Sequence, residues 1–139
     1  MRSVLETHNN GYMMGTENML LATMMGDEDM VKKLIDKTAD FVLAQQLKML
    51  EAGATVMWMA DPTSSQDLVS PDMFNEYSRK AITTAIKGTK KKFKVDAYLH
   101  ICRNTTDILK DLQDTRSESI SFNHANDKKE KKRIAEKKN

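Results

Sequence analysis

One cysteine, Cys102, is the only thiol in this sequence of 139 residues. That scarcity excludes a disulfide framework within the chain and fits a reducing, cytoplasmic setting. Long apolar runs are missing as well. Nowhere do about eighteen apolar residues follow one another, and the opening MRSVLETHNN has no apolar stretch ahead of its polar residues, so neither a membrane span nor a leader is expected. Glycine-rich turns of the kind that cradle phosphates are absent, which argues against a small doubly wound nucleotide-binding sheet. Charge of one sign is also scarce overall, with a formal net charge of +2. It gathers at one end, where residues 128–138 hold seven basic residues against two acidic ones, Glu130 and Glu136. No aromatic residue lies in that run to stack on bases, so residues 128–139 read as a solvated basic helix or tail, and nucleic acid is not the expected partner.

What is present suits one soluble domain, with 40% hydrophobic and 30% charged residues. The eleven methionines read as flexible core filler. A helix is expected from about Asp27 to Ala52, because Met30, Val31, Leu34, Ile35, Thr38, Phe41, Val42, Gln45 and Met49 recur at three- and four-residue spacing. Asp27 suits its cap and Gly53 the left-handed residue beyond its end. The run Ala54 to Ala60 is apolar without alternation, as in a parallel strand covered on both faces. After the loop Asp61 to Gln66, Ser70-Pro71-Asp72 has the order of a helix start, and Met73, Phe74, Tyr77, Ala81 and Ala85 share a face up to Gly88, the expected stop. Lys90, Lys91, Lys92 and Lys94 then read as a solvated turn before a second apolar strand, Ala97 to Cys102.

Asn104, Thr105 or Thr106 can cap a third helix through Ile108, Leu109 and Leu112, with Ser119 to Phe122 as a short strand and a polar helix from Asp127. Helix and strand therefore alternate, which predicts an α/β fold of parallel βα units. A full (β/α)8 barrel takes about 250 residues, so the expectation is a partial TIM barrel over 1–127, followed by the basic tail over 128–139.

His100 and Cys102 stand two apart on the second strand, so their side chains leave the same face, and they sit at its carboxyl end, where barrels build active sites. Imidazole and thiolate together suit zinc, which in catalytic sites takes three protein ligands and keeps one position open. A His-x-Cys pair alone is also compatible with a buried free cysteine beside a satisfied histidine.

Two stretches, GATVMWMADPTSSQDLVSPDMFNEYSRKAI and YLHICRNTTDILKDL, resemble the uroporphyrinogen decarboxylase-like barrel superfamily, over roughly Gly15 to Asp127. The segment His100-Ile101-Cys102-Arg103-Asn104-Thr105 brings the resemblance closest to the zinc-dependent methylcobalamin:coenzyme M methyltransferases. What the resemblance implies is a methyltransferase that moves a methyl group from a corrinoid protein to a zinc-activated thiol such as coenzyme M, in methanogenesis or one-carbon metabolism. It also implies that His100 and Cys102 are zinc ligands, joined in that family by a cysteine far downstream. The methyl donor would be methylcobalamin of the partner corrinoid protein. Asp61 could face the same pocket, touching substrate or orienting the histidine; it reads equally well as a turn or capping aspartate.

Arg103 stands where that family has glycine. His8, His124 and Asp61 are weak local substitutes for the third ligand, so an incomplete or inactive fragment is the expectation, whether a gene fragment, a split subunit whose barrel a second chain completes, or a decayed copy. The alternatives are uroporphyrinogen decarboxylase activity in porphyrin biosynthesis, against which the His-x-Cys pair argues, and a noncatalytic barrel remnant.

Overall fold

The computed structural model describes residues 2–4, 13–26 and 28–122. Four strands form one parallel sheet in the order β1 (Arg2–Val4), β2 (Val56–Ala60), β3 (Asp96–Ile101), β4 (Ser119–Phe122). Each strand pairs with its predecessor in sequence. That unreversed order belongs to a βα barrel rather than to a doubly wound sheet, whose strand order reverses at a switch point.

Between the strands run α1 (Thr16–Met25) and α2 (Glu28–Glu51), then a long helix α3, and finally α4 (Leu109–Asp114) behind a 3-10 turn, Thr106–Ile108. Helix α3 consists of a first turn Pro71–Met73, a π-helical stretch Phe74–Arg79 and an α-helical remainder Lys80–Lys92. The architecture is thus α/β, part of a barrel wall of strands backed by helices.

The core lies between sheet and helices. Met57 and Met59 of β2 and Ala97, Leu99 and Ile101 of β3 pack against Phe74, Ile82, Ala85 and Ile86 of α3 and against Ile108, Leu109 and Leu112. A second cluster joins Met19 of α1, Val31, Ile35 and Ala39 of α2, and Tyr77 and Ala81 of α3. Strand β2 is therefore not covered equally on both faces, as its apolar run suggests: Met59 is fully buried while Val56 is 48% exposed. An unbroken apolar run shows what a strand tolerates, not which of its faces is packed.

Local chemistry accounts for the helix ends. Gly53, at φ +98, lets Ala54 N–H donate to Met49 C=O and Gly53 N–H to Leu50 C=O, satisfying carbonyls that the end of α2 would otherwise leave open. The Ser70 hydroxyl accepts from Met73 N–H at 3.2 Å, and Pro71 occupies the first helical position. Asp27, the expected cap of α2, lies outside the described residues, as do His8, His124 and the basic segment 128–139.

Gly88 does not stop α3, which continues through Lys92 and takes Lys90, Lys91 and Lys92 into its last turn. Cations are favoured there because the carbonyl end of a helix is partially negative. Gly88 instead admits a neighbour: a Cβ at that position would come within 2.5 Å of Leu43 Cδ2 on α2. The buried stripe of α2 also differs from expectation. It follows Val31, Ile35, Ala39, Val42, Gln46 and Leu50, and it leaves Met30 and Phe41 exposed. Helix α1 gave no periodic signal because its apolar residues surround it, with only Met19 buried while Leu21, Met24 and Met25 face outward. Strand β1, three residues long, is too short for a pattern.

Candidate metal centre

On β3 the alternation is clean. Ala97, Leu99 and Ile101 are buried against the helices, and Asp96, Tyr98 and His100 turn to the opposite, less covered face. Cys102 follows the strand's last residue and carries that alternation on. The result brings His100 Nε2 to 3.1 Å from Cys102 Sγ. The other ring nitrogen, Nδ1, lies 3.1 Å from Ser121 Oγ on β4. The sheet register makes this possible, since His100 is the direct lateral partner of Ser121 on one side and of Ala60 on the other. Trp58, on the same face of β2, holds its ring centroid 6.0 Å from that of His100. The site is thus a half-buried imidazole and thiol at the carboxyl end of the sheet, flanked by an indole and a hydroxyl.

Those donors suit zinc. Two ligands of a tetrahedral zinc, with bonds of about 2.0–2.1 Å to nitrogen and 2.3 Å to sulfur, lie about 3.6 Å apart. Widening the 3.1 Å separation of the pair by about half an ångström reaches that spacing. Among the described residues, no group of three His, Cys, Asp or Glu side chains is placed to hold a metal ion.

The loops around the pair are tied to one another. Gln66 N–H donates to Asn104 C=O at 2.9 Å. The Gln66 side chain donates to Asp107 Oδ2 at 2.5 Å and accepts from Asp107 N–H at 2.8 Å. Asn104 Oδ1 accepts from both the backbone and the hydroxyl of Thr106, so of the three expected caps it is Asn104 whose side chain orders the start of the 3-10 turn. Arg103, between Cys102 and Asn104, has φ +62, a left-handed conformation that suits glycine and strains a residue with a Cβ. Its guanidinium reaches Asp67 at 3.9 Å.

Asp61 is fully buried at the end of β2, and its backbone N–H donates to His100 C=O at 3.0 Å. Its carboxylate accepts from the Thr63 hydroxyl at 2.7 Å and from the Ser64 hydroxyl at 2.5 Å. Ser64 also meets Ser78 in the π-helical stretch of α3, at 2.6 Å. Asp61 therefore organises the turn that follows β2 and touches β3 through its backbone. Ser121 and Trp58 were missed from the sequence because only strand register brings them to His100.

A singly wound parallel sheet with an imidazole–thiol pair at its strand ends defines a segment of a βα-barrel protein. The family model of uroporphyrinogen decarboxylase (URO-D) matches residues 9–139, and the chain belongs to that family. Within it, the chain is similar to the methylcobamide:CoM methyltransferase MtbA of Methanosarcina mazei, 36% identical over 97 residues that make up 68% of this chain and 27% of that protein. To the methylcobamide:CoM methyltransferase MtaA of Methanosarcina barkeri it is 32% identical, over 67% of this chain and 26% of the relative. A solved methyltransferase from Methanosarcina mazei has a similar fold, with TM-score 0.73 and 25% identity over 85% of this chain and 35% of that one. The chain thus spans about a quarter of the length of the curated relatives it matches.

Proposed function

We propose that this chain forms part of a zinc-dependent methyltransferase of the methylcobalamin:coenzyme M type, with His100 and Cys102 as two ligands of the metal. The approach of His100 Nε2 to Cys102 Sγ, at 3.1 Å on the open side of the strand ends, carries the reading. Zinc, when bound, would hold the thiol of a small substrate such as coenzyme M as the thiolate, the form that attacks a methyl group. The methyl group would come from the methylcobalamin of a corrinoid protein, in cytoplasmic one-carbon metabolism of the methanogenic kind. Asp61 acts on this site by fixing the turn after β2 and the backbone of His100.

A third ligand is required, and we place it outside the described residues, on barrel strands supplied by a second chain or by further sequence. With two ligands alone, zinc uptake is weak and methyl transfer to a thiol is not expected. No helix among the described residues is long and apolar enough to cross a membrane.

Trp58, the only tryptophan, reports on the site through its emission. Zinc titrated into the 139-residue chain should perturb that emission at high concentration, and Cys102→Ser should abolish the response. An unchanged titration in Cys102→Ser would overturn the ligand assignment. Tight one-to-one uptake by the parent chain would place the third ligand within it.

A further inference from the structure

The His-x-Cys pair fixes which residues meet but not which edge of the imidazole faces the thiol, and a histidine ring can turn over by rotation about its Cβ–Cγ bond. Turned over, His100 would present Cε1 to Cys102 and Cδ2 to β4, losing its hydrogen bonds on both sides. The structure sets the ring with Nδ1 at 3.1 Å from Ser121 Oγ and Nε2 at 3.1 Å from Cys102 Sγ. Ser121 holds this place by register, being the residue of β4 directly beside His100 on the same face of the sheet.

From this geometry we propose that Ser121 is a positioning residue for the metal site: it binds Nδ1 of His100 and so aims the lone pair of Nε2 at the position shared with Cys102. The proposal rests on the zinc reading above. Its chemistry is that of a ligand oriented from behind. With the Nε2 lone pair given to a cation, the single proton of the neutral ring sits on Nδ1, and that N–H donates to the Ser121 hydroxyl oxygen. A methyl group at position 121 could not accept it. Trp58, 6.0 Å away between ring centroids, bounds the same ring from the β2 side, whereas Nδ1 meets Ser121 on the β4 side.

The test compares the parent chain with Ser121→Ala and Ser121→Thr. Zinc affinity is measured by competition with a chromophoric chelator, the protonated ring nitrogen by long-range nitrogen–proton NMR of the metal-free chain, and folding by a urea melt. Losing a hydrogen bond behind a metal-binding histidine typically costs 10–100-fold in affinity. Ser121→Ala should weaken zinc binding at least about tenfold on that scale, with an unchanged urea midpoint and an altered Nδ1 signal. Ser121→Thr, which keeps the hydroxyl, should restore both. Equal zinc affinity in parent and Ser121→Ala would overturn the proposal. If the parent takes up no zinc, the functional reading fails by itself and the NMR arm decides: an Nδ1 signal lost only in Ser121→Ala supports the positioning role, and identical spectra in all three chains refute it.

Discussion

On the helix-covered face of the sheet Met59, Leu99 and Ile101 are fully buried, whereas on the opposite face Val56 and Tyr98 remain 48% and 37% exposed. Each strand serves both faces, alternating residue by residue, yet the two sets of side chains differ in kind. The covered set is aliphatic and thioether, locked against α3 and α4. The open set brings together an indole, a phenol, an imidazole and serine hydroxyls, and of the candidate ligands His100 belongs to it and Cys102 to its rim. The packed side chains are therefore concentrated on one side of the sheet and the candidate site on the other, so substitutions that damage one should largely spare the other.

The largest test of that division is a pair of truncations on adjacent strands. Leu99→Ala removes a fully buried side chain and should cost about 2–5 kcal/mol, with the exact value set by how far the cavity collapses. Trp58→Ala, on the half-covered face, should cost about 1 kcal/mol despite the larger side chain. Urea midpoints read both. Equal losses would break the comparison, because they would show that the open face is packed in solution, by another copy or by residues outside the described set.

The sequence carried the helix ends and the His-x-Cys pair through short-range signals, whereas the unbroken apolar run of β2 did not reveal which of its faces is packed. Ser70-Pro71 marks a helix start, Gly53 a helix end, and two residues of spacing put His100 and Cys102 together, because each of these is decided within one turn or one strand. Ser121 and Trp58 were illegible since their meeting with His100 depends on register between strands 21 and 42 residues away, and Gly88 was misread because its reason is Leu43 on another helix. Phe41 was assigned to a buried face for a related cause: apolar spacing gives the period of a helix but not the width of the groove that receives it.

A smaller effect comes from the rim between the two faces, where Arg103 holds φ +62 beside Cys102. A non-glycine residue in this conformation costs about 1–2 kcal/mol, and glycine gives back part of that through its greater freedom when unfolded. Arg103→Gly should therefore stabilise the chain by about 0.5–1 kcal/mol. The long ion pair to Asp67 offsets little of this, since both side chains are largely exposed. A higher urea midpoint with unchanged zinc uptake would mark the arginine as strain without benefit to the pair. A lower midpoint would mean that its side chain contributes more at the rim than its backbone costs.

The smallest expected effect lies at the opposite end of the strands, where Glu118 ties β4 to β3. Its carboxylate accepts from Ala97 N–H at 2.7 Å and pairs with Lys90, while its own N–H donates to Ala97 C=O at 2.9 Å. Burial pushes the Glu118 carboxyl upward, but Lys90 and the Ala97 N–H outweigh it and hold the group below the usual carboxylate range. A carboxyl whose folded pKa is depressed contributes stability above its unfolded pKa and loses that contribution as the pH falls through the folded one. The parent should therefore lose slightly more stability than Glu118→Gln as urea melts are taken from neutral pH down to about pH 3, a range that spans an ordinary carboxyl titration. Because the Glu118 side chain is 42% exposed, solvent screens the pair and the difference should stay near about 0.5 kcal/mol. Curves that run parallel over the whole range would mean that this seam is held by the backbone bond alone. Curves that converge in acid would place a measurable electrostatic contribution at the end of the sheet farthest from His100 and Cys102, and zinc uptake at neutral pH should be the same in both chains.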